Sequence, residues 1–546
     1  MDKKTLLALG LSFLVFLVWS ILYAPKPTER KVDKQIKPEE GQEESVVKDR
    51  IMPSGQKLDL MLEAEGDSKD IKVETELYIA VFSGSGPQIK SFKLKKYRSK
   101  VEKDSPLKEL IHVKNKDGYG FNLGFSGQAI PNATWATYKV NNQDITIRTG
   151  DQPKDLVYEQ KSPQGIEIKT RFLFYADTYK VDLSLIINNK SEYMIDDNLS
   201  LNLVLFPQDT KKSYGAFEGM ALLLGNKLEQ HQLKKLKDIK QYGRISWVAY
   251  KEPYFMTAII PESNDKTTAK STILPDGTIR ISYITPPLNL RQHQEITKSF
   301  ALYLGPQDLY ILKALKGSLE KAINFGWFDI IAKPLLVTLR FFNKHVSNYG
   351  VSIVLLTILI KLLFWPLTHK SYQSMKEMRK LQPIMAKIRE KYKGNKQEMN
   401  KQLMGLYKTY KVNPMGGCLP MIIQIPVFFA LFRVLPNSIE LRHAPFILWI
   451  KDLSSPDRLL DFSFQIPFMA PPYGIPVLTL IMGASMFIQQ KMTPTTGDPA
   501  QAKMMMLLPI VFTFMFINFP SGLVLYWLVN NVLSIAQQYK INRQSS

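Results

Sequence analysis

Lys361 lies within an otherwise apolar segment, residues 351–367, whose sequence is VSIVLLTILIKLLFWPL. A charge near the centre of a membrane-spanning helix costs roughly 3 kcal/mol on insertion scales, so such a residue usually faces a polar cavity. Thr357 lies one helical turn before Lys361 and Thr368 about two turns after it, which gives the segment one polar face. Alternatively, the long Lys361 side chain reaches the end of the segment and places its ammonium among lipid headgroups.

The other apolar segments of the C-terminal half also carry isolated polar residues. These are Gln424, Arg433, Thr513, Asn518, Tyr526, Asn530, Asn531 and Ser534. Single polar residues in membrane helices mostly hold neighbouring helices together, but their combination with a central cation predicts a shared hydrated groove. No Asp or Glu occurs in these segments, whereas an ion-coupled transporter normally carries intramembrane carboxylates.

The sequence predicts no metal, cofactor or catalytic site. Cys418 is the only cysteine, which excludes an intramolecular disulfide and a thiolate cluster, and the six histidines show no HExxH spacing. Residues 71–304 show no nucleophile elbow, P-loop or pair of catalytic carboxylates. A sugar-binding or enzymatic role of this region is an alternative that its fold alone does not support.

Six apolar segments approach the length of a membrane span. They are residues 6–23, 351–367, 418–435, 475–489, 504–519 and 523–536. The first follows Lys3 and Lys4, and its length favours an uncleaved anchor over a cleaved signal peptide.

The distribution of charge predicts how these spans are oriented. The chain has a net charge of +22, and residues 369–417 carry 12 Lys and Arg against 3 Glu. Because positively charged loops remain in the cytoplasm, we expect this segment and both termini to be cytoplasmic and residues 437–473 to be outside. Nucleic-acid binding is a weaker explanation of the charge, since no recognition motif accompanies it.

The region between the first two spans is polar. Residues 24–50 are rich in charge and contain no aromatic residue, which is typical of a disordered tether. From about 71 to 304, apolar residues alternate with polar ones, as in 181–187 and 73–81, with further runs at 199–205 and 279–283. This alternation predicts a large antiparallel β-sandwich.

Helical patterns follow the sandwich. Residues 307–324 are predicted to be helical, and 327–346 form an amphipathic helix with Asp329, Lys333, Arg340 and Lys344 on one stripe. We expect this second helix to lie on the outer membrane surface. The alternative is an ordinary helix that packs against the domain.

Residues 370–411 are predicted to form a cytoplasmic helical hairpin. Two apolar seams, which begin at Met378 and at Met399, flank the turn sequence Lys393-Gly394-Asn395. Pro383 predicts that the first arm is kinked or begins later than its apolar pattern. The methionines suit an adaptable surface for varied apolar partners, or they are plain core residues.

Five sequence motifs together resemble the YidC/Oxa family of membrane protein insertases. They are KLLFWPLTHKSYQSMKEMRKLQP, KVNPMGGCLPMIIQIPVFFALF, ELRHAPFILWIKDLS, QKMTPTTGDP and FPSGLVLYW. The resemblance covers nearly the whole chain and is closest to members from Gram-negative bacteria. It implies a multi-domain membrane protein: an α-helical transmembrane bundle, with a five-helix core plus an N-terminal anchor helix, and a large periplasmic antiparallel β-sandwich domain. The groove of the helical core is expected to open to the cytoplasm and the lipid.

The predicted domains are an anchor at 1–23, a disordered periplasmic tether at 24–70, the sandwich domain with a C-terminal helix at 71–326, the amphipathic interfacial helix at 327–346 and the insertase core at 347–546.

The resemblance also assigns roles to individual residues. Together with the polar pattern, it predicts a groove lined by Lys361, Thr357, Gln424, Tyr526, Trp527 and Asn530. It predicts substrate contacts at Ile425, Phe428, Val511, Met515 and Asn518. Many family members have arginine at the position of Lys361, so the charge remains here but the planar fork of donors is lost. A tryptophan is common at the position of Asn518.

The resemblance implies that the protein inserts and folds nascent membrane proteins in the bacterial inner membrane, alone or with the Sec translocon. The expected partners are nascent membrane proteins, the ribosome, Sec translocon components and the lipid bilayer, with no small-molecule cofactor. Two alternatives are a small-solute transporter and a periplasmic assembly scaffold. Deletion of residues 71–304 distinguishes a scaffold from an insertase. A scaffold would lose its activity, whereas an insertase should keep most of it.

Overall fold

The computed structural model describes residues 69–102, 104–111, 119–126, 139–140, 143–161, 165–206, 217–233, 236, 238–410, 412, 419–493 and 499–543. The predicted anchor and nearly all of the predicted tether, residues 1–68, lie outside the described residues.

The N-terminal half of the described chain consists of eighteen strands. Their bounds are β1 Ile71–Glu74, β2 Tyr78–Phe82, β3 Ile89–Arg98, β4 Leu107–Glu109, β5 Phe121–Phe125, β6 Lys139–Val140, β7 Ile145–Thr146, β8 Lys154–Lys161, β9 Ile166–Phe174, β10 Lys180–Asn189, β11 Asn198–Leu205, β12 Gly219–Leu224, β13 Lys227–Gln232, β14 Ile239–Lys251, β15 Phe255–Pro261, β16 Lys266–Ile273, β17 Ile279–Pro287 and β18 Gln294–Pro306.

These strands form two sheets around one continuous apolar core, which confirms the predicted β-sandwich. One sheet has the order β7-β1-β2-β3-β5-β11-β17-β16-β14, with β4 also paired to β3. The other has the order β6-β8-β9-β10-β18-β15-β14-β12-β13. The first half of β14 pairs in one sheet and its second half in the other. The described pairings are antiparallel except that of β1 with β7.

The alternation of apolar residues predicts the inward faces well where a strand is unbroken. In β10 every second side chain is buried, from Val181 to Ile187, between the neighbouring strands β9 and β18. The prediction that one unbroken alternation of buried and exposed residues runs from Val73 to Val81 is wrong. Thr75 Oγ1 accepts hydrogen bonds from the N–H groups of Leu77 and Tyr78, which forms a turn. This turn separates β1 from β2 and places Tyr78 rather than Ile79 in the core.

The predicted helix over 307–324 is also largely wrong. The chain forms only α1, Leu309–Lys313, and a 3-10 turn, Leu319–Ala322. Gly317 and Ser318 between them have φ angles of +82° and +56°. Left-handed backbone cannot continue a right-handed helix, so the pattern is interrupted there.

Eight further helices build the C-terminal half of the described chain. They are α2 Asp329–Val346, α3 Tyr349–Leu363, α4 Trp365–Lys391, α5 Lys396–Thr409, α6 Leu419–Val434, α7 Val477–Met492, α8 Pro499–Phe516 and α9 Ser521–Arg543. A short hairpin of β19, Leu459–Phe462, and β20, Tyr473–Ile475, lies between α6 and α7. Helix α9 packs on α3 and α7, while α2 packs on α3 and α6.

The apolar segment that contains Lys361 is not one straight helix. Helix α3 ends at Leu363, and α4 begins at Trp365 after a bend of 67°. Pro366 explains the break, because it has no N–H to donate to the carbonyl of Leu362. By length and hydropathy alone, none of the described helices qualifies singly as a membrane span, whereas the bent pair α3 and α4 qualifies together.

An ion-pair cluster joins the sandwich to the helices. The Arg340 guanidinium on α2 pairs with Glu440 Oε1 at 2.8 Å and with Asp308 Oδ2 at 3.2 Å. Burial raises the pKa of the Glu440 carboxyl. Arg340 is therefore turned toward the sandwich, and its predicted place on an open polar stripe is wrong. The exposed face of α2 instead presents Ile330 and Phe341.

Candidate groove between α3, α6, α8 and α9

The ammonium of Lys361 is held inside the helical bundle by neutral groups of α9. Lys361 Nζ donates hydrogen bonds to Ser534 Oγ at 2.6 Å and to Asn530 Oδ1 at 3.2 Å. Only 8% of the Lys361 surface is exposed. None of the described carboxylates forms an ion pair with it, so the two α9 residues supply its polar environment.

This geometry corrects two expectations from the sequence. Lys361 lies in the last turn of α3 rather than at the middle of a longer span. Its ammonium points to α9 instead of reaching toward the end of the apolar segment. Asn530 and Ser534 cover the charge at this point, and the hydrated groove stays a prediction.

Other buried polar residues extend this contact along α9, and we call the set the polar seam. Gln537 Nε2 donates to Thr368 Oγ1 on α4 at 3.1 Å, and Asn531 Nδ2 donates to Ser485 Oγ on α7 at 3.0 Å. The seam consists of Lys361, Thr368, Ser485, Asn530, Asn531, Ser534 and Gln537. It places a run of amides and hydroxyls where α9 meets three other helices.

The remaining predicted groove residues lie in two places. Gln424 on α6 donates from Nε2 to the Tyr526 hydroxyl on α9 at 3.0 Å. Thr357 is buried one turn before Lys361 but donates to the carbonyl of Ile353 in its own helix. Thr357 thus shares the face of Lys361 without being hydrogen-bonded to it.

Aromatic rings connect α6, α8 and α9. The rings of Phe428 and Trp527 meet edge to face, with their centroids 4.9 Å apart. Phe516 at the end of α8 lies 5.2 Å from Trp527 and 6.1 Å from Phe428. Trp527 is therefore part of an apolar cluster rather than of the polar seam.

Three of the predicted substrate-contact residues are exposed. Ile425 on α6 and Val511 and Met515 on α8 have 38%, 62% and 42% of their surfaces free. Phe428 lies between them and the aromatic cluster, half-buried. The faces of α6 and α8 near the cluster are thus apolar and open.

Asn518 does not share this face. It follows the end of α8, where its Nδ2 donates to the carbonyl of Phe468 at 2.9 Å and its Oδ1 accepts from the N–H of Ala470 at 2.7 Å. Its side chain therefore joins the α8–α9 turn to the loop before α7, and the substrate contact at Asn518 stays a prediction.

Sequence reasoning missed several members of the polar seam. Ser534 and Asn531 stood out as polar but had no predicted partner, and Ser485 and Gln537 went unnoticed. Their spacing of three or four residues on α9, from Asn530 through Ser534 to Gln537, was a signal that one helix face is polar.

The predicted helical hairpin forms, with one difference. Met378, Leu381 and Met385 of α4 pack with Leu403 of α5 in a separate apolar cluster. Tyr407 of α5 also packs against this cluster. Helix α4 is continuous through Pro383 and begins at Trp365, so the predicted later start is wrong.

Comparisons with known proteins match both halves of the chain. Residues 341–546 match the family described as 60Kd inner membrane protein, and residues 70–338 match the YidC periplasmic domain family. The membrane protein insertase YidC of Pelobacter propionicus is 42% identical, over all of this chain and 99% of the relative. That of Syntrophobacter fumaroxidans is 40% identical over the full length of both chains. A solved structure titled as an active YidC insertase covers 87% of this chain and 93% of its own, at 19% identity and a TM-score of 0.38.

Proposed function

This chain belongs to the YidC family of membrane protein insertases, and we propose that its insertase activity uses the polar seam around Lys361. The protein acts in the inner membrane on nascent membrane proteins. The observation that supports a role for the seam is a buried cation among apolar helices whose hydrogen-bond partners are one amide and one hydroxyl. A polar segment of a substrate can replace those neutral partners without leaving a charge unpaired.

The physical task is to move a polar flank of the substrate across hydrocarbon. Each charged residue costs roughly 2.5–3.5 kcal/mol at the centre of the membrane, whereas each Leu or Ile returns roughly 0.3–0.6 kcal/mol. A Leu-rich substrate helix therefore supplies several kcal/mol of driving force without nucleotide hydrolysis. A cationic site part of the way across shortens the dry path and favours acidic flanks.

In the mechanism that we propose, α9 separates from α3 when a substrate flank enters. The polar groups of the substrate flank then take the place of Asn530 and Ser534 beside Lys361. The apolar helix of the substrate then leaves into lipid along the exposed side chains of Ile425, Val511 and Met515 and the half-buried ring of Phe428. No covalent bond is made or broken in this process.

Site-specific photocrosslinking tests this path. A photoreactive amino acid at Phe428 should crosslink to a membrane protein during its synthesis, because Phe428 lies between the aromatic cluster and the open faces of α6 and α8. The control is the same amino acid at Tyr242, a ring on the sandwich that is 65% exposed and thus more accessible than Phe428. Equal crosslinking at both positions would contradict a specific path along α6 and α8.

We further propose the orientation that the loop charges predict, in which the hairpin is cytoplasmic and the sandwich periplasmic. Reporters fused after Lys393 or Thr493 should have cytoplasmic activity, and a reporter after Asp452 should be active outside. Alkaline phosphatase and a cytoplasmic fluorescent protein give opposite readouts of the two sides. An external hairpin would contradict both the five-span core and the direction of the groove.

The hairpin is the proposed contact for ribosomes or emerging chains. Its Lys and Arg side chains are suited to the polyanionic ribosome surface, and contacts to Sec translocon components are proposed for the same insertase. We also propose the domain boundaries that the sequence predicts: the sandwich domain ends at 326, the interfacial helix ends at 346, and the hairpin comprises 370–411.

A further inference from the structure

Five large apolar side chains are exposed in the loop between α6 and α7. Ile447, Leu448, Leu460, Phe464 and Phe468 have 53%, 82%, 64%, 61% and 89% of their surfaces free. We call these residues the outer rim. Exposed apolar groups of this size, gathered in one loop, mark a contact surface rather than ordinary surface variation.

Three residues of the outer rim also hold unfavourable backbone conformations. Leu448, Leu460 and Phe468 have φ angles of +55°, +62° and +63°. For side chains of this bulk the left-handed region is strained and is usually left to glycine or asparagine. The chain therefore bears backbone strain at the positions where it displays its most exposed apolar groups, and this cost requires a compensating environment.

Hydrogen bonds hold the backbone around the exposed Phe468 in place. Asn518 binds the backbone on both sides of it, at Phe468 O and at Ala470 N. Arg458 donates to the carbonyls of Pro472 at 2.7 Å and of Ile517 at 2.9 Å. These bonds fasten the loop to the turn that joins α8 to α9.

Two aspartates near the rim have partners inside the loop. Asp457 accepts from Trp449 Nε1 at 2.6 Å and from backbone N–H groups in the first turn of α7. Asp452 accepts from the backbone and hydroxyl of Ser454. Four of the five rim residues lie in two uncharged stretches, 444–450 (APFILWI) and 462–472 (FSFQIPFMAPP), whereas Leu460 stands between Arg458 and Asp461 in the sequence.

We propose that the outer rim inserts into the periplasmic leaflet of the inner membrane, at the boundary between headgroups and acyl chains. Continuity with the lipid-facing surface of the core supports this occupant: Val511 and Phe514 are exposed on α8, and the rim is fastened to the turn that follows this helix. Uncharged aromatic and aliphatic groups on a rigid loop suit that depth of the bilayer. The proposal rests on the orientation given under Proposed function.

Such an insertion would fix the depth of α8 and α9 in the membrane. Asn518 and Arg458 transmit the position of the rim to the α8–α9 turn, and α9 carries the partners of Lys361. The rim thus acts as an anchor for the helix that covers the polar seam.

Depth-dependent quenching in vesicles tests the outer rim. The full-length protein with Cys418→Ser receives Leu448→Cys or Phe468→Cys, is labelled with an environment-sensitive fluorophore and is reconstituted into phosphatidylethanolamine and phosphatidylglycerol. Tyr242→Cys is the matched control, because Tyr242 is also exposed, at 65%, but lies on the sandwich. A phospholipid with a nitroxide high on its acyl chain should quench both rim labels at least about threefold more than the control label, and aqueous iodide should show the reverse order.

Two results would overturn the proposal. Iodide quenching at Leu448 and Phe468 equal to that at Tyr242 would place the rim in water. Protection from both quenchers that disappears at one protein chain per vesicle would identify a second copy of the chain as the occupant. Insertion assayed in the same vesicles separates the two ideas, since normal insertion with an iodide-accessible rim rejects the anchor alone and leaves the insertase mechanism standing.

Discussion

Lys361→Glu is expected to reduce insertion more than any other single substitution in the polar seam. The carboxylate would face the Asn530 carbonyl oxygen that now accepts from Lys361 Nζ, and an unpaired buried charge costs several kcal/mol. It would also repel the acidic flanks that the cation attracts. Lys361→Arg should retain most activity because the charge remains at the same place. Lys361→Met, which keeps the length and loses the charge, should impair substrates with acidic flanks by about tenfold, equivalent to roughly 1.4 kcal/mol.

The measurement is insertion of matched substrates, with acidic and with neutral flanks, into vesicles that contain each variant. Lys540→Glu is the control, because Lys540 is an exposed residue near the cytoplasmic end of the same helix α9. It reverses a charge without touching the seam and should insert both substrates normally. Equal insertion of both substrates by Lys361→Met would show that the ammonium only holds α3 against α9.

The closed seam adds a kinetic expectation. In a Lys361→Cys variant with Cys418→Ser, a water-soluble thiol reagent should react slowly at rest, because Asn530 and Ser534 cover this position. A stalled nascent chain should speed the reaction as α9 moves away. Labelling that is fast at rest and unchanged by substrate would contradict a seam that opens on engagement.

The sequence was a good guide wherever one local pattern determined the structure. Alternation located β10 because one of its faces is buried while both of its edges pair with neighbouring strands over most of its length. It failed at Thr75, where one side-chain hydroxyl satisfies two backbone N–H groups and starts a turn inside an apparently continuous strand. The break after α3 had a visible signal in Pro366, whose effect on the helix is stronger than that of the surrounding apolar residues.

Contacts between distant segments were harder to predict. The partners of Lys361 lie 169 and 173 residues away along the chain, and nothing local in the sequence brings α3 and α9 together. The hydrogen bonds of Asn518 to Phe468 and Ala470 could not be predicted either, because an asparagine is compatible with many kinds of contact. Arg340 likewise fitted a solvated stripe until its carboxylate partners from two other elements were known.

Removal of most of the hairpin is expected to have the second largest effect. In the variant, a short Gly-Ser linker replaces residues 379–409, which removes the C-terminal half of α4, the turn and α5. The deletion begins after Tyr372 and Met375, because these side chains pack against Ile541 of α9 and hold α4 on that helix. We therefore expect the truncated protein to remain stable in the membrane while insertion falls by an order of magnitude, since the basic surface that attracts ribosomes or emerging chains is lost.

A hairpin of reduced positive charge separates the two properties of this element. Gln at positions 380, 387, 391 and 393 removes four lysines that lie outside the Met378, Leu381, Met385 and Leu403 cluster, so the hairpin should still fold. If its charge attracts ribosomes, this variant should lose most ribosome binding in co-sedimentation, and the loss should grow less marked as salt screens the wild type. If the methionine seam instead receives apolar chains, the variant should crosslink to substrate normally and only the deletion should fail. Wild-type insertion by the deletion variant would exclude a role for the hairpin in either step.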